Sequence, residues 1–132
     1  MDERGDEATP VSELKALVRA FVEEREWDQF HTPKDLAIGL SVEAAELLEH
    51  FRFRSNDEME QRLLVADRRT EIAHELADVL YFVLLMSANL GYDVTTILRD
   101  KLEVSARKYP IDQARGVNEK YTELRPAEGE TS

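Results

Sequence analysis

Two pairs of acidic residues share the same spacing in this chain. Glu43 and Glu46 lie three residues apart, and so do Glu75 and Asp78. On an α-helix this spacing places both side chains of a pair on one face, one turn apart. If the two helices faced each other, four carboxylates would surround one small volume. Such oxygen ligands suit Mg²⁺ or Mn²⁺, and the absence of cysteine excludes a thiolate zinc site.

A solvated acidic face is the alternative interpretation of these pairs. Asp and Glu make up 28 of the 132 residues, so about six pairs at this spacing are expected by chance. The surroundings favour a metal, because one pair borders a stripe of leucines and the other opens the most apolar helix. Few basic residues lie nearby to offset the cost of burying these charges. Spacing and surroundings alone leave the two interpretations equally open.

The rest of the sequence predicts an all-α bundle of four to five helices. The chain has only 5 Gly and 4 Pro, and no segment alternates like a strand. Thr-Pro pairs at 9–10 and 32–33 are typical of helix starts, while Gly91 and Pro110 mark helix ends. We expect helices at about 10–26, 33–53, 67–90 and 94–108, with a further helical stretch at 58–65. Residues 1–110 would form the domain, and residues 111–132 a flexible tail.

The composition of the third long helix predicts that one copy of the chain cannot bury all the apolar surface of this helix. From Val79 to Leu90 this helix is apolar on nearly every side, so it must be covered from several directions. The other short helices can hardly do this alone. We therefore expect a homo-oligomer, with dimer and tetramer both open.

Charge and hydropathy restrict the partners. The formal net charge of −11 argues against nucleic acid, whose phosphates attract basic surfaces. A nucleotide stays compatible, because a divalent cation inverts the local electrostatics. The longest charge-free run, Val79 to Tyr92, is shorter than the roughly 20 residues of a membrane span, and the acidic N-terminus has no apolar signal segment. We expect a cytoplasmic protein that binds no membrane.

Longer motifs resemble one known family. Leu40–Phe53 (LSVEAAELLEHFRF) and Glu75–Leu84 (ELADVLYFVL) resemble the ExxE…ExxD signature of the MazG-like all-α NTP pyrophosphatases. Glu26–Pro33 and Lys101–Pro110 are similar to stretches of its dCTP pyrophosphatase branch. The resemblance covers about residues 14–110. It implies a helical bundle that forms dimers or tetramers and hydrolyses an NTP or dNTP, such as dCTP or a modified pyrimidine dNTP, to the monophosphate and pyrophosphate.

The resemblance also implies the metal ligands. Glu43, Glu46, Glu75 and Asp78 would bind Mg²⁺, for which Mn²⁺ could substitute. One carboxylate would also activate the attacking water in an in-line displacement at phosphorus. Glu46 is our choice for this catalytic base.

Substrate contacts follow from the same resemblance. Four residues at the end of the last long helix are expected to contact phosphates or the pocket rim: Lys101, Arg107, Lys108 and Tyr109. Alternatively, the basic residues could simply interact favourably with the helix dipole and contact no substrate. His31 would contact the base or sugar. Phe53 stands where dCTP-preferring relatives carry Trp, and Ser105 where they carry Asn, which puts cytosine specificity in doubt.

Two other classes of protein share features with this sequence. A di-iron carboxylate bundle needs Glu-x-x-His on two helices, and the chain has this motif only once, at Glu71 and His74. A non-enzymatic acidic interaction module would use the apolar helix as a partner surface. Such a module gains nothing from Glu43 and Glu75 beside its core, so we expect an enzyme.

Overall fold

The described part of this computed structural model covers residues 2–126 and is all-α, as predicted. Between these residues it contains no strand. Its six α-helices are Val11–Glu24 (α1), Pro33–Glu49 (α2), Asn56–Leu63 (α3), Ala66–Leu90 (α4), Val94–Lys108 (α5) and Ile111–Ala114 (α6). Short 3-10 helices lie at Asp6–Ala8, Asp28–Phe30 and Tyr121–Glu123. The residues divide into two compact units, one ending at Tyr92 and the other beginning at Asp93.

Helix α1 is shorter at both ends than predicted. Pro10 is the N-cap rather than the first helical residue, and the Thr9 hydroxyl donates to the carbonyl of Arg4 instead of capping the helix. The helix ends in a left-handed turn at Glu26, whose φ is 53°. The amide of Trp27 donates to the Val22 carbonyl at 3.1 Å, which is the long bond of a Schellman motif. This turn fixes where Trp27 leaves the helix.

Helix α2 begins where the sequence predicts and ends earlier. The Thr32 hydroxyl accepts from the Asp35 amide at 3.2 Å and caps the start. The predicted end at Phe53 is wrong, because α2 stops at Glu49 and a turn carries the chain to a left-handed φ of 62° at Phe53. The Ser55 hydroxyl then caps α3 by accepting from the Glu58 amide at 3.2 Å. The stretch predicted at 58–65 is therefore a separate helix that starts two residues sooner.

The core of the first unit lies between α1, α2 and α4. Val22, Leu36 and Leu85 are almost fully buried, one from each helix. Helices α2 and α4 approach closely at Gly39, where an added Cβ would lie 2.5 Å from Cε1 of Phe82. The missing side chain lets the Phe82 ring rest directly on the backbone of α2.

Much apolar surface of these helices stays exposed in a single chain. Side chains more than two-fifths exposed include Ile38 and Leu48 on α2, and Leu76 and Leu80 on α4. None of the residues in the described part forms a helix long and apolar enough to cross a membrane. The apolar surface agrees with the expected homo-oligomer, which stays a prediction.

The second unit contains regular structure where the sequence predicted a tail. Asp93 caps α5 by accepting from the Thr96 amide at 3.0 Å, and α5 ends at Lys108 as expected. The carbonyl of Pro110 then starts α6 by accepting from the Ala114 amide at 2.9 Å. Further on, the Tyr121 ring packs against Tyr109 at 6.0 Å between centroids. The flexibility predicted for residues 111–132 stays a prediction, and residues 127–132 lie outside the described range.

Candidate functional site

Three carboxylates converge between α2 and α4. Glu43 comes from α2, and Glu75 and Asp78 come from α4 one turn apart. One ligand atom of each lies within 4.8 Å of the other two. Glu43 and Glu75 are half-buried and Asp78 is exposed. The two predicted acidic faces therefore meet across the helix pair.

The electrostatics of this cluster are unfavourable without a cation. One oxygen each of Glu43 and Glu75, Oε2 in both cases, is buried and has no hydrogen-bond partner in the described part of the chain. Burial, followed by repulsion from Glu46 and Asp78, raises the pKa of Glu43. An unpartnered buried carboxylate oxygen carries its full desolvation penalty. The donor set and the unpartnered oxygens fit a hard divalent cation.

Glu46 lies beside this cluster rather than among its three members. It sits one turn after Glu43 on α2, is exposed, and is near enough to contribute to the raised pKa of Glu43. At the C-cap of α2, further along from Glu46, Nε2 of His50 lies 3.9 Å from Oε1 of Glu75. Glu46 is therefore placed to reach solvent at the edge of the carboxylates.

An aromatic cavity opens next to the carboxylates. Its volume is about 300 Å³, at the lower end of small-molecule sites. Its lining consists of Phe21, Trp27, His31, Glu43, Asp78, Tyr81 and Phe82. The rings meet edge to face, with centroids 5.7 Å apart for Phe21–Trp27 and 5.1 Å apart for Tyr81–Phe82. A flat aromatic ligand beside a charged group would suit such walls.

The segment between α1 and α2 forms one side of the cavity and is tied to α1. The Arg19 guanidinium donates to both carboxylate oxygens of Asp28, at 2.6 and 2.9 Å. This contact holds the pKa of Asp28 below its ordinary value. Arg25 stacks on the Phe21 ring at 3.7 Å from the centroid. The short helix Asp28–Phe30 is thus held in place between Trp27 and His31.

Among the residues predicted to bind substrate, His31 is the one that lines this cavity. Its ring is half-buried, and Nδ1 is buried without a hydrogen-bond partner among the described residues. A buried, unpartnered ring nitrogen is available to a ligand. Its role in binding stays a prediction.

Phe53 is not brought to this cavity. Its side chain is 89% exposed and its ring lies under the Arg52 guanidinium at 4.4 Å. Because α2 ends at Glu49, Phe53 lies beyond the helix that carries Glu43. Its proposed contact with the base stays a prediction without support from this cavity.

The four predicted phosphate contacts all lie in the second unit. Lys101 and Arg107 are exposed on α5. The Lys108 ammonium lies 4.9 Å from the centroid of Tyr121, which also packs against Tyr109. Their part in binding stays a prediction.

Sequence reasoning missed three cavity residues. None of Phe21, Tyr81 and Phe82 was expected at a site, since aromatic residues at helical spacing usually form core. A signal was nevertheless present, because Phe82 follows Asp78 by four residues and so shares its helix face.

The fold and site now define the class of protein. Residues 38–124 match the family model described as the MazG-like family, and the chain belongs to that family. It is similar to human dCTP pyrophosphatase 1, with 32% identity over 114 residues, covering 86% of this chain and 67% of the relative. The mouse protein of the same name is 31% identical over the same lengths. A solved structure of a pyrophosphatase from Archaeoglobus fulgidus superposes with a TM-score of 0.70 at 35% identity, covering 83% of this chain and 98% of that one.

Proposed function

We propose that this chain is a Mg²⁺-dependent nucleoside triphosphate pyrophosphohydrolase, which converts an NTP or dNTP to the monophosphate and pyrophosphate. The observation that carries the proposal is the cluster of Glu43, Glu75 and Asp78 with two unpartnered buried oxygens. Its position beside an aromatic cavity, in a chain of the MazG-like family, supports a nucleotide as the substrate.

The carboxylates would hold the metal. Glu43, Glu75 and Asp78 offer converging oxygens, and Glu46 supplies a further carboxylate one turn along α2. Magnesium supplies Lewis-acid polarisation of the phosphoryl oxygens and neutralises charge on the departing pyrophosphate. Mn²⁺ has a similar preference for oxygen ligands and would substitute.

Glu46 is the proposed general base. It is exposed at the edge of the cluster, where it can accept a proton from the attacking water. The water oxygen forms a bond to the α-phosphorus, while the bond from that phosphorus to the bridging oxygen breaks. The electron pair of that bond leaves with pyrophosphate.

The aromatic cavity would bind the nucleobase. The ring faces contribute stacking, and the unpartnered Nδ1 of His31 contributes a hydrogen bond to the base or sugar. The name of the mammalian relatives supports dCTP as a substrate, and a modified pyrimidine dNTP is the alternative. Phe53 and Ser105 depart from that branch, so dCTP is one member of the panel to be tested.

We further propose that the chain forms a homodimer or homotetramer in the cytoplasm. The exposed apolar residues of α2 and α4 support self-association, because isolated chains rarely expose large apolar patches. Lys101, Arg107, Lys108 and Tyr109 remain proposed phosphate contacts.

A screen of product formation tests the proposal. The common and modified NTPs and dNTPs are incubated with Mg²⁺, and the products are separated chromatographically. Equal amounts of monophosphate and pyrophosphate are expected from at least one nucleotide. Release of single phosphates, or no release from any nucleotide, would argue against the proposed reaction.

A non-enzymatic interaction module is tested by thermal stability. A ligand that binds only the native state raises its stability. An enzyme with this site should melt at higher temperature with millimolar Mg²⁺ or Mn²⁺ and a nucleotide. An unchanged melting temperature would favour the module. The di-iron alternative has little support, since Glu71 pairs with Arg68 at 3.0 Å and is outside the carboxylate cluster.

A further inference from the structure

Three arginines gather near the start of α4 in this strongly acidic chain. They are Arg54 before α3, Arg62 near the end of α3, and Arg68 in the first turn of α4. Arg68 pairs with Glu71 at 3.0 Å. Burial, and then repulsion from Arg54 and Arg68, lowers the pKa of Arg62. Arg54 and Arg68 are therefore both near enough to Arg62 to act on its charge.

Arg62 is the least satisfied member of this arginine cluster. Its side chain is half-buried, and its Nε is buried without a hydrogen-bond partner among residues 2–126. Neither Arg54 nor Arg62 has a side-chain ion pair or hydrogen bond in the same part of the chain. Arg side chains are almost never buried unless paired. A cluster with three cations and one paired carboxylate is suited to an anion.

Contacts between α2 and α4 fix the order of features along this helix pair. Gly39 lies against Phe82, Glu43 meets Asp78, and His50 lies 3.9 Å from Glu75. Residue numbers rise along α2 as they fall along α4, so the two helices are antiparallel. Continuing in the same direction leads from the carboxylates towards Arg54 on one side and Arg68 on the other.

The face of α4 carries the same order. The residues that share the face at spacings of three and four are Arg68, Glu71, Glu75, Asp78 and Phe82. A rise of 1.5 Å per residue puts the Cα of Arg68 roughly 10 Å from that of Glu75 along the axis. The Arg68 guanidinium pairs with Glu71, which lies one turn from Glu75 on the same face. The cavity residue Phe82, the carboxylates and Arg68 therefore follow one another along α4.

From this order we infer that Arg54, Arg62 and Arg68 bind the β- and γ-phosphates of the substrate, and the pyrophosphate formed from them. The inference rests on the proposed function, since it assumes that the base occupies the aromatic cavity and the α-phosphate lies at the carboxylates. Guanidinium groups match phosphate oxygens in bidentate geometry, and such charge-assisted bonds are stronger than neutral ones. The arginines then compensate the negative charge of the departing pyrophosphate.

Binding titrations with inorganic pyrophosphate test this inference. Calorimetry in Mg²⁺ compares the wild type with Arg62→Gln and Arg68→Gln, and Arg62→Lys keeps the charge. Arg69→Gln is the matched control, because Arg69 neighbours Arg68 on α4 and points along a different helix face. Circular dichroism identifies variants that fold.

Each glutamine variant should bind pyrophosphate about 10- to 100-fold more weakly, and the nucleoside monophosphate within twofold of the wild type. Arg62→Lys should recover part of the loss, and Arg69→Gln should bind both like the wild type. Wild-type affinity for pyrophosphate in a folded Arg68→Gln, or equal losses for monophosphate and pyrophosphate, would overturn the inference.

Nucleotide turnover by the wild type is measured in parallel and decides the proposed function separately. If the wild type turns over nucleotide while the arginine variants bind pyrophosphate normally, only the arginine inference fails. If the wild type neither turns over nucleotide nor binds pyrophosphate, both fail. If it binds pyrophosphate without turnover and Arg68→Gln loses that binding, the arginine site stands and the reaction does not.

Discussion

The Phe82 ring lies on Gly39 so closely that a Cβ at residue 39 would be 2.5 Å from its Cε1. This contact sets the separation of α2 and α4 at Phe82, which lines the aromatic cavity. It lies one turn from both Glu43 and Asp78, the carboxylates that approach each other across the same helix pair. Helix packing and the geometry of the site therefore depend on the same small residue.

Gly39→Ala should damage both packing and substrate binding. The added methyl must push the Phe82 ring into the cavity or separate the helices, and overpacking of this kind costs about 1–3 kcal/mol. We expect a lower free energy of unfolding by denaturant and a KM raised several-fold in pyrophosphate-release kinetics.

Gly5→Ala is the control for this substitution, because nothing lies within 4 Å of a Cβ at residue 5. Wild-type stability and KM in Gly39→Ala would show that Phe82 moves freely and does not shape the cavity.

Glu43→Gln should stabilise the metal-free protein at neutral pH. The pKa of Glu43 is raised in the folded state by burial and by repulsion from Glu46 and Asp78. Between the ordinary value and the raised one, the folded state holds more protons than the unfolded state, so stability falls as pH rises through this window. A neutral amide removes that loss. The melting temperature in a chelator should rise by a few degrees at pH 7.5, with a smaller rise at pH 4.

The same variant should lose its response to metal. Mg²⁺ should raise the melting temperature of the wild type and of Glu49→Gln, a control on the same helix outside the cluster. A wild-type response to Mg²⁺ in Glu43→Gln would remove Glu43 from the proposed ligands.

Asp28→Asn should raise KM more than it lowers kcat. Asp28 accepts two hydrogen bonds from Arg19 and ties the segment with Trp27 and His31 to α1. Because the depressed pKa of Asp28 reflects this contact, its stabilisation is present above the ordinary pKa and is lost as pH falls through the lower folded value. The pair is partly exposed, so solvent screens it and its contribution to overall stability is small.

Glu23→Gln is the matched control for Asp28→Asn. Glu23 also bonds Arg19, at 2.8 Å, but within α1 and away from the cavity lining. Steady-state kinetics should show KM raised several-fold only in Asp28→Asn. Equal effects of the two substitutions would mean that the Arg19 pair does not position the cavity wall.

Much of the fold could be predicted because its signals are local. The Thr32 and Asp93 caps and the left-handed Gly91 fix helix ends through side chains and backbone freedom that the sequence displays. The end of α2 could not be predicted in this way. Leu47 and Phe51 continue the helical spacing, while the chain turns at a non-glycine residue, Phe53, for which the sequence gives no sign.

The sequence indicated the carboxylates of the candidate site but not the aromatic residues that line its cavity. Helical spacing puts Glu75 and Asp78 on one face of α4, while the packing of α2 against α4 brings Glu43 to them. The cavity depends on the tertiary crossing of α1 and α4, which sets Phe21 beside Tyr81 at 6.1 Å. No spacing rule within one helix carries that information.

The central claim is that the converging carboxylates hold the divalent cation on which turnover depends. Its most direct test is the rate of pyrophosphate release with Mg²⁺ in Asp78→Asn and Glu46→Gln, with Glu49→Gln as the control. Both variants should stay folded and oligomeric like the wild type while kcat falls at least about 100-fold, because loss of metal binding removes several kcal/mol of transition-state stabilisation. Turnover within a few-fold of the wild type in both variants would contradict the account.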